Sequence, residues 1–225
     1  MSESYVSETE VHIVSVLTKA EAAYQQLRER IVEGSLKPGS TINQERLAAD
    51  LGFSITPLRE ALRRLEAEGL VALSAHKIVR VMPLSRQELY ELCLTRGQLD
   101  PLAANLAATG ATDQEAQSIV SLAAQSGALD VRGRMTAHRR FHLAIYAASH
   151  NNVLGGILRQ LWDRTDRYRI IVMADRPIDP GTGTEHQDIA RAILSKQGDV
   201  VADLMRRHVE HALRSAESVA DFDSH

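Results

Sequence analysis

The feature that most constrains this chain is its helix punctuation. Thr18-Lys-Ala-Glu21, Ser85-Arg-Gln-Glu88 and Thr112-Asp-Gln-Glu115 repeat one spacing, a hydroxyl followed three residues later by a carboxylate. That spacing is the capping box, in which the two side chains satisfy N–H groups that a helix start leaves without partners. Gly34, Gly52, Gly69 and Gly110 stand where the following helices should stop, because glycine accepts the left-handed conformation of a helix end. The pattern predicts helices at about 19–33, 44–51, 57–68, 86–109, 113–126, 131–149, 152–174, 184–196 and 199–219. Pro101 should kink or split the fourth of these, with Asp100 capping the new segment. "DRPIDPGTG", 175–183, reads as a loop. Only at 70–82 does the period change, where "LVAL" and "VRVM" flank "SAHKI" as a hairpin would.

Composition agrees with a mainly α fold. Of 225 residues 44% are hydrophobic, with only three Phe, one Trp and five Tyr, so the core must be aliphatic. That length suffices for one large domain or two small ones. The single cysteine, Cys93, cannot close an internal disulfide, and a reducing cytoplasm is the expected compartment. In "LYELCL" it reads as a small buried hydrophobe. No apolar run reaches membrane-spanning length. "MSESYVSETE" is acidic and serine-rich, the reverse of a signal peptide, and residues 1–17 are expected to be a disordered tail. A net charge of −3 does not advertise a nucleic-acid binder, so that function must rest on a local arrangement.

Two blocks follow, 18–82 and 83–225, joined at "MPLS", where proline disfavours helix at the preceding residue. The first runs helix, helix, short turn, helix, hairpin, the order of a winged helix-turn-helix. In its third helix Leu58, Ala61, Leu62 and Leu65 share one face and leave Arg59, Arg63 and Arg64 on others. Pro57 suits the first helical position with Thr56 as cap. A helix start bearing Thr56 and Arg59 is suited to the major groove, since its partial positive charge favours phosphate and arginine can grip guanine with two hydrogen bonds. A solvated helix laced with salt bridges would show the same spacings.

The longer pattern decides between them. "LRERIVEGSLKPGSTINQERLAADLGFSITPLREALRRLEAEGLVAL" resembles the DNA-binding domain of the GntR family of bacterial transcription regulators. The resemblance is carried by "G.L.PG", by "LA..LG.S.TP.REAL..L..EGL" and by the hairpin after it. It implies a homodimer on double-stranded DNA, reading an operator with two-fold-related half-sites, with Arg46, Ser54, Thr56, Arg59, Arg63, His76 and Lys77 as contacts. Ile55 and Glu45 depart from it, standing where family members commonly carry arginine. Arg46, beside Glu45, is the candidate to compensate.

The second block is an all-α helical bundle. Leu89, Leu92, Leu99, Leu102 and Leu106 form an apolar stripe, with Arg96 on or beside it, where a cation is costly unless paired. Arg96 can form a salt bridge with Asp100 one turn on, or bind an anionic ligand between helices. His138, His142, His186 and His208 lie on three different helices, an arrangement from which bundles build metal sites. His12, His76, His150, His211 and His225 read as ordinary surface or core residues in this respect, although His211, three residues after His208, could stand in for it.

This block resembles the all-helical effector domain, the FCD domain, of the FadR subfamily. The matching residues are "R..LD..AA" from Arg96, "H..FHLAI" from His138, "SHNNVL" from Ser149 and "EHQDIARAI...GD...A...M..HV" from Glu185 to Val209. In members that bind metal, three histidines and an aspartate hold a divalent ion beside the ligand pocket. By position, His142, His186 and His208 are the three histidines, and His138 replaces the aspartate. An all-imidazole set favours zinc or nickel over magnesium or manganese.

The resemblance implies a ligand-responsive repressor, released from DNA by a small carboxylate effector that Arg96 and the metal hold. The competing class is a metal-dependent hydrolase. "HRRFH" has histidines at zincin spacing, but Arg139 stands where the general-base glutamate belongs. A ligand-binding protein without DNA function would leave the first block unexplained.

Overall fold

The computed structural model describes residues 17–74, 78–126, 130–175 and 180–217. Residues 1–16 of the expected tail lie outside them, as do His76 and Lys77. In chain order the elements are α1 (Lys19–Val32), β1 (Thr41–Ile42), α2 (Gln44–Leu51), α3 (Ile55–Ala67), β2 (Val71–Leu73), β3 (Val79–Val81), α4 (Arg86–Gly110), α5 (Asp113–Ala123), α6 (Val131–Ala148), α7 (Asn152–Asp175), α8 (Pro180–Leu194) and α9 (Gly198–Glu217). A 3-10 turn, Ala124–Ser126, follows α5. None of these helices is long and apolar enough to cross a membrane.

In the first block α1 packs on α3, and Leu58, Ala61, Leu62 and Leu65 of α3 are wholly buried, as the spacing predicts. Burying each leucine contributes about 1.5–3 kcal/mol. α3 starts two residues earlier than expected, with Ser54 at the cap and Pro57 in the first turn. Proline is tolerated there because the first turn's N–H groups lack intrahelical partners anyway. Gly52 ends α2 at φ 71°, in the left-handed region, and so allows the sharp entry to α3. The hairpin gains a third strand, in the order β1-β3-β2, with Thr41 opposite Arg80 and Val71 opposite Val81. β1 is two residues long, too short to show a period in the sequence.

Of the three capping boxes only Thr112–Glu115 is reciprocal. Thr18 and Ser85 accept from Glu21 and Glu88 N–H as expected. The glutamates' own carboxylates go elsewhere, Glu21 to Arg64 and Glu88 to Arg164. Gly110 closes α4 without the left-handed turn, and Ala111 caps it in extended form. α4 also runs through Pro101 unsplit. Asp100 caps nothing, because its carboxylate is taken by Arg96 and Tyr146. Leu102, placed on the buried stripe by spacing, is instead exposed, as are Tyr90 and Leu94. α8 begins at Pro180, inside the segment expected to be loop, with proline as its first residue.

α4 and α9 pack along each other, and α5, α6, α7 and α8 complete the bundle around an alanine-rich core with Phe141, Tyr146 and Trp162. α7 also reaches the first block through α1 and holds the join: Arg167 donates to the Met82 carbonyl, and the Ser85 N–H donates to Tyr168 Oη at 3.1 Å.

Candidate metal centre and nucleic-acid interface

Packing of α6, α8 and α9 against α7 brings His138, His142, His186 and His208 together in the bundle interior. Each offers a nitrogen, and these atoms all lie within 4.8 Å of one another. Ring centroids are 4.7 Å apart for His138–His142 and His138–His186, and 4.8 Å for His186–His208. Trp162 closes one side, 4.6 Å from His142. All four are at most 4% exposed and so are shielded from bulk solvent.

Among the described residues, both nitrogens of His142, and Nε2 of His186 and of His208, have no hydrogen-bond partner. Leaving such a group buried and unpaired costs about 1–3 kcal/mol each, so the cluster is built for something that accepts lone pairs. His208 Nδ1 lies 2.7 Å from Glu185 Oε2. The carboxylate can only accept, so Nδ1 carries the proton and Nε2 presents its lone pair to the cluster, the usual orientation device of a metal-binding histidine. Burial, then the neighbouring cations and rings, pushes His138, His142 and His186 well below the ordinary imidazole pKa. For His208 burial outweighs Glu185, and the shift is also downward. All four are neutral at pH 7, the state a metal requires. The donor set therefore fits a divalent transition metal.

His138 differs from the other three. Its Nε2 lies 2.7 Å from Arg169 Nη1, and a guanidinium can only donate, so that lone pair is taken. His138 Nδ1 is the atom left without a partner among the described residues. His211 shares Glu185 through its Nδ1, at 2.8 Å, and is not part of the cluster.

Arg96 is 3% exposed and donates to Asp100 Oδ2 from Nη2 at 2.7 Å and from Nε at 3.1 Å. It lies over Trp162, 4.2 Å from the ring centroid. Burial alone would lower its pKa, but the Asp100 carboxylate more than reverses this. Tyr146 completes the group, donating to Asp100 Oδ1 at 2.6 Å and accepting from Trp162 Nε1. Of the two readings of Arg96, the salt bridge is present in the structure, with Trp162 in contact with both Arg96 and His142.

Arg46 of α2, Ser54 at the cap of α3, and Thr56, Arg59 and Arg63 of α3 are all exposed. Arg59 Nε donates to Gln44 Oε1 at 3.1 Å, which aligns the side chain along the α2–α3 turn. Arg64 is engaged inside the domain, over the Tyr24 ring and paired with Glu21. Ile55, where an arginine is usual, packs partly buried against the domain core.

Sequence reasoning did not single out Glu185, Asp163, Asp166 or Arg169. The last three lie at helical spacing on α7, in "DRTDRYR", and like Arg139 on α6 carry charge on faces turned inward. Three charges at i, i+3, i+6 on a helix that also bears Trp162 was the available signal.

A winged helix-turn-helix joined to an all-helical bundle with a buried histidine cluster defines a class, the two-domain ligand-binding regulators of bacteria. The family models agree: residues 19–81 match "Bacterial regulatory proteins, gntR family" and residues 88–211 match the FCD domain. This chain belongs to the GntR family, in its FadR-like branch, and is a DNA-binding transcription regulator. The hydrolase reading finds no support in that family. The chain is 28% identical over 198 residues to the HTH-type transcriptional repressor GlaR of Escherichia coli K12, covering 83% of this chain and 90% of that one. It is 32% identical over 142 residues to the HTH-type transcriptional regulator McbR of the same organism, covering 61% and 64%. In fold it matches the solved structure of E. coli McbR/YncC with a TM-score of 0.76 at 22% identity, over 90% of this chain and 98% of that one.

Proposed function

We propose that this regulator is a homodimeric cytoplasmic repressor whose bundle holds a transition metal, zinc or nickel, and a small carboxylate effector bound to it. The observation that carries the reading is the set of unpartnered nitrogens on four buried neutral histidines within 4.8 Å. His142, His186 and His208 would hold the ion, with His138 as the fourth ligand. The ion supplies positive charge for the effector's carboxylate, and Arg96 adds its own field to the same place. The exposed apolar side chains of α4, Tyr90, Leu94 and Leu102, support a second copy packing there. The dimer would present two α3 helices to half-sites about one DNA turn apart. Arg46, Ser54, Thr56, Arg59 and Arg63 would contact the operator, with His76 and Lys77 from the wing. Repression is the sense favoured by the likeness to GlaR, which is named a repressor.

Elemental analysis of purified protein tests the metal. Wild type, His138→Ala, His138→Asp and His142→Ala are dialysed identically. Wild type should retain zinc or nickel, His142→Ala should lose most of it, and His138→Asp should retain metal and broaden acceptance toward manganese. Wild type that is metal-free after growth in metal-replete medium, and takes up no added zinc, contradicts the reading.

A further inference from the structure

A row of charges of alternating sign runs from the histidine cluster to the DNA-binding block. Arg169 Nη1 touches His138 Nε2 at 2.7 Å. Beside it on α7, Asp166 Oδ2 accepts from Arg139 Nη1 at 2.7 Å. Arg139 also donates to Asp163 Oδ1, and Asp163 Oδ2 accepts from Arg28 Nε at 2.5 Å. Arg28 lies on α1, whose Tyr24, Leu27 and Ile31 belong to the core of the first block. Asp163 is shared by two arginines and Asp166 is bonded to one of them, so a change of partner at Asp166 must be answered at Asp163.

The row has one open link, and it is next to the histidines. Among the described residues Arg169 Nε and Asp166 Oδ1 have no hydrogen-bond partner, and they stand 3.8 Å apart. Arg169 is thus held on His138 while a bond to Asp166 goes unmade. The price of that arrangement is a buried guanidinium whose pKa burial lowers to about 10. A small shift of Arg169 away from His138 would bring its Nε within hydrogen-bonding reach of Asp166 Oδ1.

We propose that Arg169 is the switch that reports occupancy of the histidine site to the DNA-binding domain. The proposal rests on the metal reading given above. A divalent ion among the four rings repels the guanidinium and claims the lone pair on which it donates. Arg169 then closes onto Asp166 Oδ1, which weakens the hold of Asp166 on Arg139. Arg139 in turn leans on Asp163, which it shares with Arg28, and the tie to α1 is altered. Coupling of this kind needs an element with two arrangements that both sites bias, and the open Arg169–Asp166 link provides it.

Hydrogen exchange on the full chain, with zinc alone as the probe, tests this. Zinc should change the exchange of the α1 amides around Arg28 by about threefold or more in wild type. Asp163→Asn and Arg28→Met, which leave the histidines untouched, should still take up zinc and lose that change. Either variant suffices if the other fails to fold. Arg169→Met should bind zinc about tenfold tighter or more, because the dication no longer faces a guanidinium. Zinc uptake by wild type with an equal α1 response in both variants overturns the switch and leaves the metal reading standing. So does weaker zinc binding by Arg169→Met. Wild type that binds no zinc overturns the metal reading and the switch together.

Discussion

Each of the four clustered histidines is a neutral ring that acid would charge. In the unfolded chain an imidazole takes up its proton near pH 6.5, whereas burial holds the folded-state values lower. Above about pH 6.5 neither state is protonated, and these groups leave stability independent of pH. As pH falls below that value the unfolded chain binds protons that the folded one refuses, so stability is lost by up to about 1.4 kcal/mol per pH unit for each histidine. Urea unfolding of chelator-treated protein should therefore show steep loss between about pH 6.5 and 5, and His142→Gln should flatten the slope. A stability that is level across that range would mean the rings already carry charge or water. The identity of the four histidines was legible in sequence because each falls on a motif. Their separate states were not. Arg169 on His138 and Glu185 on His208 come from other helices, and only packing decides which nitrogen keeps its lone pair.

At the scale of elements, apolar spacing predicted α3 to within two residues, because Leu58, Ala61, Leu62 and Leu65 face a single core. Where prediction failed, a tertiary partner had taken over a local role. Asp100 does not cap a broken helix because Arg96 and Tyr146 claim its carboxylate. Glu21 and Glu88 leave their capping boxes half made because arginines on other helices offer a charged partner. Leu102 faces outward because one helix of 25 residues cannot turn every apolar position toward one bundle. On α3 the exposed Thr56 and Arg59 lead to a specific expectation. Arg59→Ala should relax preference at one base pair of the operator by about 1–3 kcal/mol. Lys77→Ala should weaken all sequences alike and lower the salt slope by about one unit. Anisotropy titrations on a duplex selected by the wild-type protein, and on its single-base variants, measure both. Site discrimination that survives Arg59→Ala would remove α3 from the groove.

At the scale of the whole molecule, an acid held in the bundle would govern DNA binding by the other domain. The two blocks are tied through α7, which lines the histidine cluster with Trp162, carries the ion pairs to Arg28 and holds the Met82–Ser85 join. A ligand that binds the two states of such a molecule unequally must shift its DNA affinity by the same factor as DNA shifts the ligand's. The most direct measurement is release of zinc-loaded protein from its selected duplex by a panel of small mono-, di- and hydroxycarboxylates at fixed salt. At least one acid should weaken DNA binding of wild type by about tenfold or more, and His142→Ala should bind the duplex but ignore that acid. If no acid releases wild type, or if every acid that does so releases His142→Ala equally, the histidine pocket does not control the DNA-binding domain.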